Sequence, residues 1–230
     1  AVIARNDLFP LAIGECARAS AAKHGINVVY FEKYPVGSTD LSPLLIQLKG
    51  KNPDWLFATG YAEDLILIRR QMKELGVNVK MLTMIAGAAY KEFIDALGPD
   101  AENVTTAAWW HPSTKYQGVD VWGTAAAYVG QFQKKYGYTP DYVPASASTV
   151  GVVFQHAIEA AGVIDPQKVR DQIAKSDFVT FFGPIRFDER GMSIALDPPI
   201  MQIQNGRHVA IHPASIAESA LIYPLTGAKK

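Results

Sequence analysis

NVVYFEKYPVGSTDLSPLLIQLKG, residues 27–50, and PDWLFATGYAEDLILIRRQMKELG, residues 53–76, are two strand–helix units in immediate succession. Each begins with a short run of strand-favouring apolar residues, at positions 28–31 and 55–58. Such runs are expected where helices cover both faces of a parallel sheet. We therefore predict a doubly wound α/β fold, in which small molecules bind at the carboxyl ends of the strands.

The helix of each unit is predicted from apolar residues that recur at helical spacing. The two stripes are Leu41, Leu44, Leu45 and Leu48 in the first unit, and Leu65, Ile68, Met72 and Leu75 in the second. Asp40 is expected to cap the first helix, and Gly76 is expected to end the second. Between strand and helix lie the loop 35–40 and Tyr61, both at the edge where a ligand is expected.

The composition restricts the function of the chain. Its 230 residues carry 22 basic and 22 acidic side chains, so the formal net charge is zero. Nucleic-acid binding usually needs a basic surface, and the composition does not indicate one. No apolar run reaches the length that a membrane-spanning helix needs. Cys16 is the only cysteine, which excludes an internal disulfide. We expect its thiol to be buried on the apolar side of a helix.

The same alternation of strands and helices extends from the N-terminus to the His111–Pro112 break. Strands are predicted at 1–4, 80–85 and 103–110, with helices after Asp7 and at 89–97, which completes the order βαβαβαβαβ. Beyond the break the chain predicts three helices, at 121–136, 145–161 and 166–176, with no parallel strands between them. The sheet that covers these helices is therefore expected to come from elsewhere.

The C-terminal part returns to strand character. A strand is predicted at 179–187, and a hairpin of strands 200–203 and 208–211 is predicted around Asn205-Gly206. The residues from Pro213 onward are small and polar without a period, which indicates a tail.

The sequence resembles the periplasmic solute-binding proteins of ABC transporters in the branched-chain amino acid family, which have the type I bilobed fold. The resemblance runs from Ala1 to about Pro213. It is carried by the order and spacing of four segments, YPVGSTDLSPLLIQLK (34–49), NPDWLFATGY (52–61), RQMKELG (70–76) and FFGPIRFDERG (181–191).

The resemblance implies two α/β lobes that are joined by three crossovers and clamp a ligand between them. Residues 1–108 and 192–212 would form one doubly wound lobe, 109–191 would supply helices of a second, incomplete lobe, and 213–230 would be a C-terminal tail. The N-terminal half of the incomplete lobe has no counterpart here. The chain is then a truncated or proteolysed product, one of two polypeptides, or a short form that covers its apolar helix faces with a second copy of itself.

The resemblance also implies site residues. Amino acid binders of this family have an aromatic residue at the start of the first helix of this lobe, a tyrosine after the second complete strand and an acidic residue after the third complete strand, where the N-terminal strand 1–4 is not counted. Phe9, Tyr61 and Ile85 stand at these places, and Trp109 or Trp110 would add an aromatic wall; only one of the two can face the cleft if both lie on a strand. Aromatic side chains also fill cores, so packing is the alternative role for each.

Ile85 departs from the family pattern. A ligand ammonium in a closed cleft needs a carboxylate partner, because an unpaired buried charge costs several kcal/mol. The sequence therefore favours an aromatic or apolar organic acid over a branched-chain amino acid, with its carboxylate held by the lobe that is absent.

We predict that the chain is an extracytoplasmic (periplasmic) solute-binding component of an ABC importer, which closes about a hinge on its ligand and docks on a membrane permease. The alternatives are a cytoplasmic ligand-sensing regulator of the same fold and an α/β enzyme. An enzyme is not expected, because the chain contains no G-x-S-x-G elbow, phosphate loop or dinucleotide fingerprint. No cofactor is expected, and His208 and His212 lack a third ligand for a metal.

Overall fold

The computed structural model describes residues 1–225, and these form two compact units. Unit 1 comprises Ala1–Ala107, Ile200–Ile211 and the chain from Ser219, and unit 2 comprises Ala108–Pro199 and His212–Glu218. The return to unit 1 therefore occurs at Ile200 rather than at residue 192. The assignment of the units to two lobes of one binding protein stays a prediction.

The helices and strands alternate as far as the fifth strand. In chain order they are β1 Val2–Arg5, α1 Leu8–Lys23, β2 Phe31–Tyr34, α2 Ser42–Lys51, β3 Trp55–Gly60, α3 Ala62–Glu74, β4 Met81–Ala86, α4 Lys91–Leu97, β5 Thr105–Ala107, α5 Ala125–Tyr136, α6 Tyr142–Ala161, α7 Pro166–Ala174, β6 Asp177–Val179, β7 Pro184–Arg186, β8 Ile200–Gln204 and β9 Arg207–His212. Two short 3₁₀ turns, Gly87–Ala89 and Gly98–Ala101, flank α4.

Unit 1 is built on one seven-stranded sheet with the order β2-β1-β3-β4-β5-β8-β9. The strands β2, β1, β3, β4 and β5 are parallel, and β8 is antiparallel to β5. Each parallel connection passes through a helix, as a parallel pair requires. The predicted doubly wound α/β lobe is therefore confirmed.

The core of unit 1 lies between the sheet and the helices α2 and α3. Leu45 and Leu48 of α2 are fully buried in it, and so are Leu65 and Ile68 of α3. These are members of the two predicted stripes, so the helical spacing of leucine and isoleucine identified the inward faces correctly. Leu44 and Leu75 are partly buried against the same cluster.

Three local predictions in the first half of unit 1 are wrong. The second strand lies at Phe31–Tyr34 instead of 28–31, because β1 supplies partners only from Val2, which pairs with Phe31. Helix α2 begins at Ser42, and Asp40 Oδ1 accepts hydrogen bonds from Ser42 N (2.9 Å) and Gln71 Nε2 (2.8 Å) rather than occupying the cap position. Cys16 is exposed, since α1 buries only its face at Pro10 and Gly14.

Turn chemistry explains the elements that differ in length. The Asp120 carboxylate accepts hydrogen bonds from Trp122 N (2.9 Å) and Gly123 N (3.1 Å), so the chain is held in a turn and α5 begins only after Thr124. The predicted strand 179–187 is instead the hairpin of β6 and β7. The hairpin of β8 and β9 is confirmed, with positive φ at both Asn205 and Gly206 as its tight turn requires.

The residues from Pro213 were predicted to form a tail, and the part that the structure describes is instead attached to unit 1 from Ser219 onward. Gln202 Nε2 donates to Ile222 O (3.0 Å), and Ile222 N donates back to Gln202 Oε1 (2.8 Å). Gln204 Nε2 donates to Ala220 O (2.9 Å). Two buried glutamines thus attach the segment to β8 by hydrogen bonds. The periodicity of the sequence does not predict such contacts. Residues 226–230 of the predicted tail lie outside the described residues.

Unit 2 has a separate aromatic core. Trp110, Tyr128, Phe181 and Phe182 are buried together, with the rings of Tyr128 and Phe181 stacked at 4.2 Å between centroids. Stacked and edge-to-face rings of this kind add about 0.5–1.5 kcal/mol a pair beyond their buried area. Within the described residues, the only strands of unit 2 are the short pair β6 and β7.

The helices of unit 2 leave an apolar groove open, which is about 570 Å³ in volume. Its wall on α6 is formed by Val150, which is 54% exposed, and Phe154, which is 49% exposed. Trp109, Phe182 and Leu196 line the same groove. An apolar surface of this kind is unusual on a single soluble unit unless something binds to it.

Candidate ligand site at the carboxyl edge of the sheet

The topology of unit 1 creates a crevice between the carboxyl ends of β1 and β3. From β1 the chain passes through α1 to β2 on one side, whereas from β3 it passes through α3 to β4 on the other side. Neighbouring strands whose connections leave in opposite directions form a topological switch point, where open α/β sheets bind small molecules. Arg5 ends β1 and Gly60 ends β3, so these residues and their successors border the crevice.

An ion pair joins the two sides of this switch point. Arg5 Nη1 donates to Asp64 Oδ2 at 2.9 Å, and the Arg5 and Asp64 side chains are only 18% and 7% exposed. The hydrogen bond to Asp64 raises the pKa of Arg5, so the guanidinium stays charged. Separation of Arg5 from Asp64 would leave each as a partly buried charge without a partner, which is costly. The pair therefore holds the end of β1 against the start of α3.

Tyr61 is oriented by the same ion pair. The Tyr61 backbone N–H donates to Asp64 Oδ2 at 2.9 Å, which satisfies one of the free N–H groups at the start of α3. The centre of the Tyr61 ring lies 4.9 Å from Arg5 Cζ, within the range of a cation–π interaction. Backbone and ring of Tyr61 are therefore both held by the Arg5–Asp64 pair, and the residue is half-buried at the crevice.

The floor of the crevice requires glycine at Gly60. Tyr34 is buried at the end of β2, and its hydroxyl donates to Thr59 O at 2.8 Å. A Cβ on Gly60 would overlap the Tyr34 hydroxyl. Burial raises the pKa of Tyr34, so its hydroxyl remains a neutral donor. The absence of a side chain at Gly60 thus allows the phenol of Tyr34 to contact the end of β3.

The chain that leaves β4 passes closely over the start of α3. A Cβ on Gly87 would overlap the backbone of Tyr61 and Ala62. The preceding residue, Ala86, has φ 79° and ψ −84°, a conformation that is strained for any residue with a side chain. Ile85, immediately before it, is half-buried at the carboxyl end of β4. The close approach therefore places the β4 end beside Tyr61.

Three of the predicted site residues follow strands of this edge. Phe9, in the first turn of α1, is half-exposed, and Tyr61 and Ile85 are half-buried. The two tryptophans belong to unit 2, where Trp109 is half-exposed in the apolar groove. Trp110 is 1% exposed in the aromatic core, so it offers no surface to a solute. The packing role is the one that the structure gives to Trp110.

Arg5 and Asp64 were missed at the sequence level. The available signals were an arginine directly after the apolar run AVIA and an acidic residue three positions after Tyr61, which is the spacing of a capping box. The two residues are 59 positions apart, so neither signal indicated the other. The close approach at Gly87 had no sequence signal beyond the glycine itself.

Unit 1 has a second cavity, of about 470 Å³, at the opposite edge of the sheet. It is lined by Val2, His24, Asn27 and Trp55 around the amino ends of the strands. Parallel α/β sheets bind ligands at the carboxyl ends, where the connecting loops and helix N-termini converge. For this reason the crevice at Arg5 and Tyr61 is the candidate site.

The described residues restrict two further kinds of site. Residues 1–225 contain no group of three or more His, Cys, Asp or Glu side chains that could hold a metal ion. Over the same residues no single helix is long and apolar enough to cross a membrane, and the bent pair of α6 and α7 passes that test only when the two are taken together, by length and composition alone.

Comparison with known proteins gives a consistent set of relatives. The sequence profile of the family described as "Periplasmic binding protein" matches residues 1–207. The chain is 25% identical over 232 aligned positions to the Leu/Ile/Val-binding protein homolog 7 of Brucella suis, with 97% of the chain and 57% of that protein covered. It is 29% identical to the leucine-, isoleucine-, valine-, threonine- and alanine-binding protein of Pseudomonas aeruginosa, over 73% of the chain and 43% of that protein.

Solved structures agree with the relatives. The leucine-binding protein of Thermotoga maritima superposes with a TM-score of 0.81 at 25% identity, covering 91% of the chain and 59% of that protein. A Streptococcus pneumoniae branched-chain amino acid transporter substrate-binding protein, solved with isoleucine, has the same fold with a TM-score of 0.77 at 21% identity. The alignment covers 97% of the chain and 60% of that protein. The chain thus spans less than two thirds of the length of the relatives that it matches.

Proposed function

Because the chain belongs to the periplasmic binding protein family, we propose that it is part of an extracytoplasmic solute-binding protein of an ABC importer. The carboxyl edge of unit 1 would form one wall of the solute site. The proposal rests on one observation: the Arg5–Asp64 pair holds Tyr61 at the topological switch point, the place where this type of sheet binds small molecules. Binding by hinge closure and delivery to a membrane permease complete the proposed role.

Apolar amino acids are the first ligand class to test. The Brucella suis and Pseudomonas aeruginosa relatives are named for binding leucine, isoleucine and valine. The half-buried Tyr61 and the half-exposed Phe9 would offer aromatic surface to an aliphatic side chain. A solute of this class contributes apolar area for affinity and polar ends for orientation.

Ile85 favours a second ligand class, organic acids without an ammonium group. The carboxyl end of β4 carries the half-buried Ile85, and the residues that follow it, Ala86–Ala89, are buried and include no carboxylate. A solute ammonium would find no carboxylate at that position, and an uncompensated charge in a closed cleft is costly. Aromatic or branched aliphatic monocarboxylates lack this requirement.

The open groove of unit 2 suggests a further partner. Val150 and Phe154 are exposed on α6, and the relatives are longer than the chain. We propose that the groove is covered in the working protein, either by a segment outside these 230 residues or by a second copy of the chain. Comparison of the intact mass with the complete reading frame would separate the two.

A binding experiment tests the proposed function. The protein expressed from its complete reading frame is titrated by calorimetry with leucine, valine, isocaproate and benzoate. We expect at least one of these to bind, and we expect Tyr61→Ala to weaken that binding about ten-fold or more, because central aromatic contacts commonly contribute over 1 kcal/mol. The melting temperature of the variant should change little, since Tyr61 is only half-buried.

Tyr223→Ala is the matched control. Tyr223 belongs to unit 1 and is exposed, so its removal should leave every affinity within about two-fold. Unchanged affinity in Tyr61→Ala would remove Tyr61 from the site. Tight binding of leucine with none of isocaproate or benzoate would rule out the second ligand class, and the reverse would rule out the first.

A further inference from the structure

Arg5 has hydrogen-bonding capacity that the protein does not use. An arginine guanidinium carries five N–H donors in a fixed plane. Nη1 donates to Asp64, while Nε is buried 3.5 Å from Asp7 Oδ2 without a hydrogen-bond partner. Within the described residues Nη2 donates to no acceptor. A partly buried guanidinium with unused donors at a proposed ligand site requires an explanation.

The orientation of the guanidinium is suited to an incoming acceptor. The Tyr61 ring lies 4.9 Å from Arg5 Cζ, a contact that occupies a face of the guanidinium plane. The ion pair with Asp64 fixes one nitrogen of the plane. What remains for a solute is Nη2, which can donate to the oxygens of a carboxylate.

The acidic neighbours of Arg5 are already engaged. Asp64 Oδ2 accepts from Tyr61 N as well as from Arg5, and Asp7 Oδ1 accepts from Leu8 N at 2.8 Å to cap α1. Each carboxylate thus stabilises the positive end of a helix. The two carboxylates keep their charge and offset that of Arg5, so what this site offers a solute is the hydrogen-bond donors of Nη2 rather than a net positive charge.

We propose that Arg5 is the specificity-determining residue of this site and that it binds a carboxylate of the solute through its free guanidinium donors. The inference rests on the proposed function, since it assigns the chemical class of the group bound at the same crevice. It also assigns the carboxylate to unit 1, whereas the resemblance led us to expect it on the other lobe of the family fold. Tyr61 and Ile85 would then contact the apolar body of the same solute.

The test compares each carboxylate with its neutral amide. Benzoate and benzamide, isocaproate and isocaproamide, and leucine and leucinamide are titrated into the protein expressed from its complete reading frame. The variants are Arg5→Gln and Arg5→Lys, and the matched control is Arg18→Gln. Arg18 also lies over an aromatic ring, with Cζ 4.4 Å from the Phe31 ring centre, but on the exposed side of α1.

The expected result is a loss of discrimination. The unmodified protein should prefer a carboxylate over its amide by about ten-fold or more, the range of a charge-assisted fork. Arg5→Gln should abolish this preference, together with some loss of amide binding because Tyr61 is no longer held by the ion pair, and Arg5→Lys should retain part of the preference because the charge remains but the fork is lost. Arg18→Gln should retain all of it.

Two results would overturn the inference. One is a carboxylate preference that stays at the unmodified value in both Arg5 variants with no loss of affinity. The other is an equal loss of carboxylate and amide binding, which would make Arg5 a residue that only positions Tyr61. If Arg5→Gln does not fold, Arg5→Lys decides, because an undiminished preference in that variant overturns the inference. Failure of the proposed function is distinct, because then the unmodified protein binds none of the six probes.

Discussion

Unit 1 buries the apolar faces of its helices, whereas unit 2 leaves one such face partly exposed. In unit 1 the stripes of α2 and α3 lie against a seven-stranded sheet, and Leu45 and Ile68 are fully buried. In unit 2 the helix α6 has a comparable apolar face, yet Val150 and Phe154 remain about half-exposed in an open groove. The difference teaches that helical spacing of apolar residues marks a face that needs covering, and that the spacing alone does not show what covers it.

The position of the candidate ligand site follows from the same difference. The parallel strands of unit 1 create a topological switch point, and the Arg5–Asp64 pair holds Tyr61 there. Unit 2, whose described strands are only β6 and β7, instead stabilises itself with aromatic rings around Trp110. Burial and function are thus separate properties of the two units, and substitutions should affect them separately.

The largest difference in stability is expected between Ile68→Ala and Val150→Ala. Ile68 is fully buried, so removing its outer carbons leaves a cavity and should lower the free energy of unfolding by about 2–5 kcal/mol. Val150 is 54% exposed in the groove, and its truncation should change that free energy by about 0.5 kcal/mol or less. Urea unfolding followed by circular dichroism measures both. Equal losses would mean that the groove is as well covered as the core of unit 1.

A smaller contrast separates two glycines of unit 1. Gly87→Ala adds a Cβ that overlaps the backbone of Tyr61 and Ala62, so we expect a loss of about 1–3 kcal/mol. Gly50→Ala places its Cβ in open space on α2, where alanine should stabilise the helix by about 0.5–1 kcal/mol. Thermal unfolding of both variants shows whether each substitution raises or lowers the stability. A neutral Gly87→Ala would show that the β4 end does not press on the start of α3.

A small change in stability is also expected for Phe154→Ser. Phe154 contributes exposed apolar surface to the groove, so the free energy of unfolding should change by about 1 kcal/mol or less. Self-association of the 230-residue chain should decrease, because exposed apolar patches promote contact between molecules. Sedimentation velocity at several concentrations measures this. Association that is unaffected by Phe154→Ser would exclude the groove as its cause.

Most of the fold could be predicted from local periodicity in the sequence. The alternation of strands and helices, the inward residues of α2 and α3 and the turn at Asn205–Gly206 were all predictable, because each depends on neighbours along the chain. The start of β2 was not, since pairing with β1 decides which residues form a strand. The attachment of the segment after Ser219 depends on Gln202 and Gln204, and side chains of this kind leave no periodic signal.

The site was predictable only in part. Tyr61 was located by the edge rule for parallel sheets together with the family resemblance, and Phe9 and Ile85 by the resemblance alone. Arg5 and Asp64 required the structure, because their contact joins residues that are 59 positions apart. The sequence could not distinguish the two adjacent tryptophans either, since burial of Trp110 depends on Tyr128 and Phe181 in its core.

Hydrogen–deuterium exchange with and without a bound solute tests the central claim most directly. If the carboxyl edge of unit 1 is the ligand site, a solute found by calorimetry should slow exchange in residues 5–9, 59–64 and 85–90, the segments that border the crevice. Protection confined to residues 24–29 and 51–55, which line the cavity at the amino ends of the strands, would contradict the account.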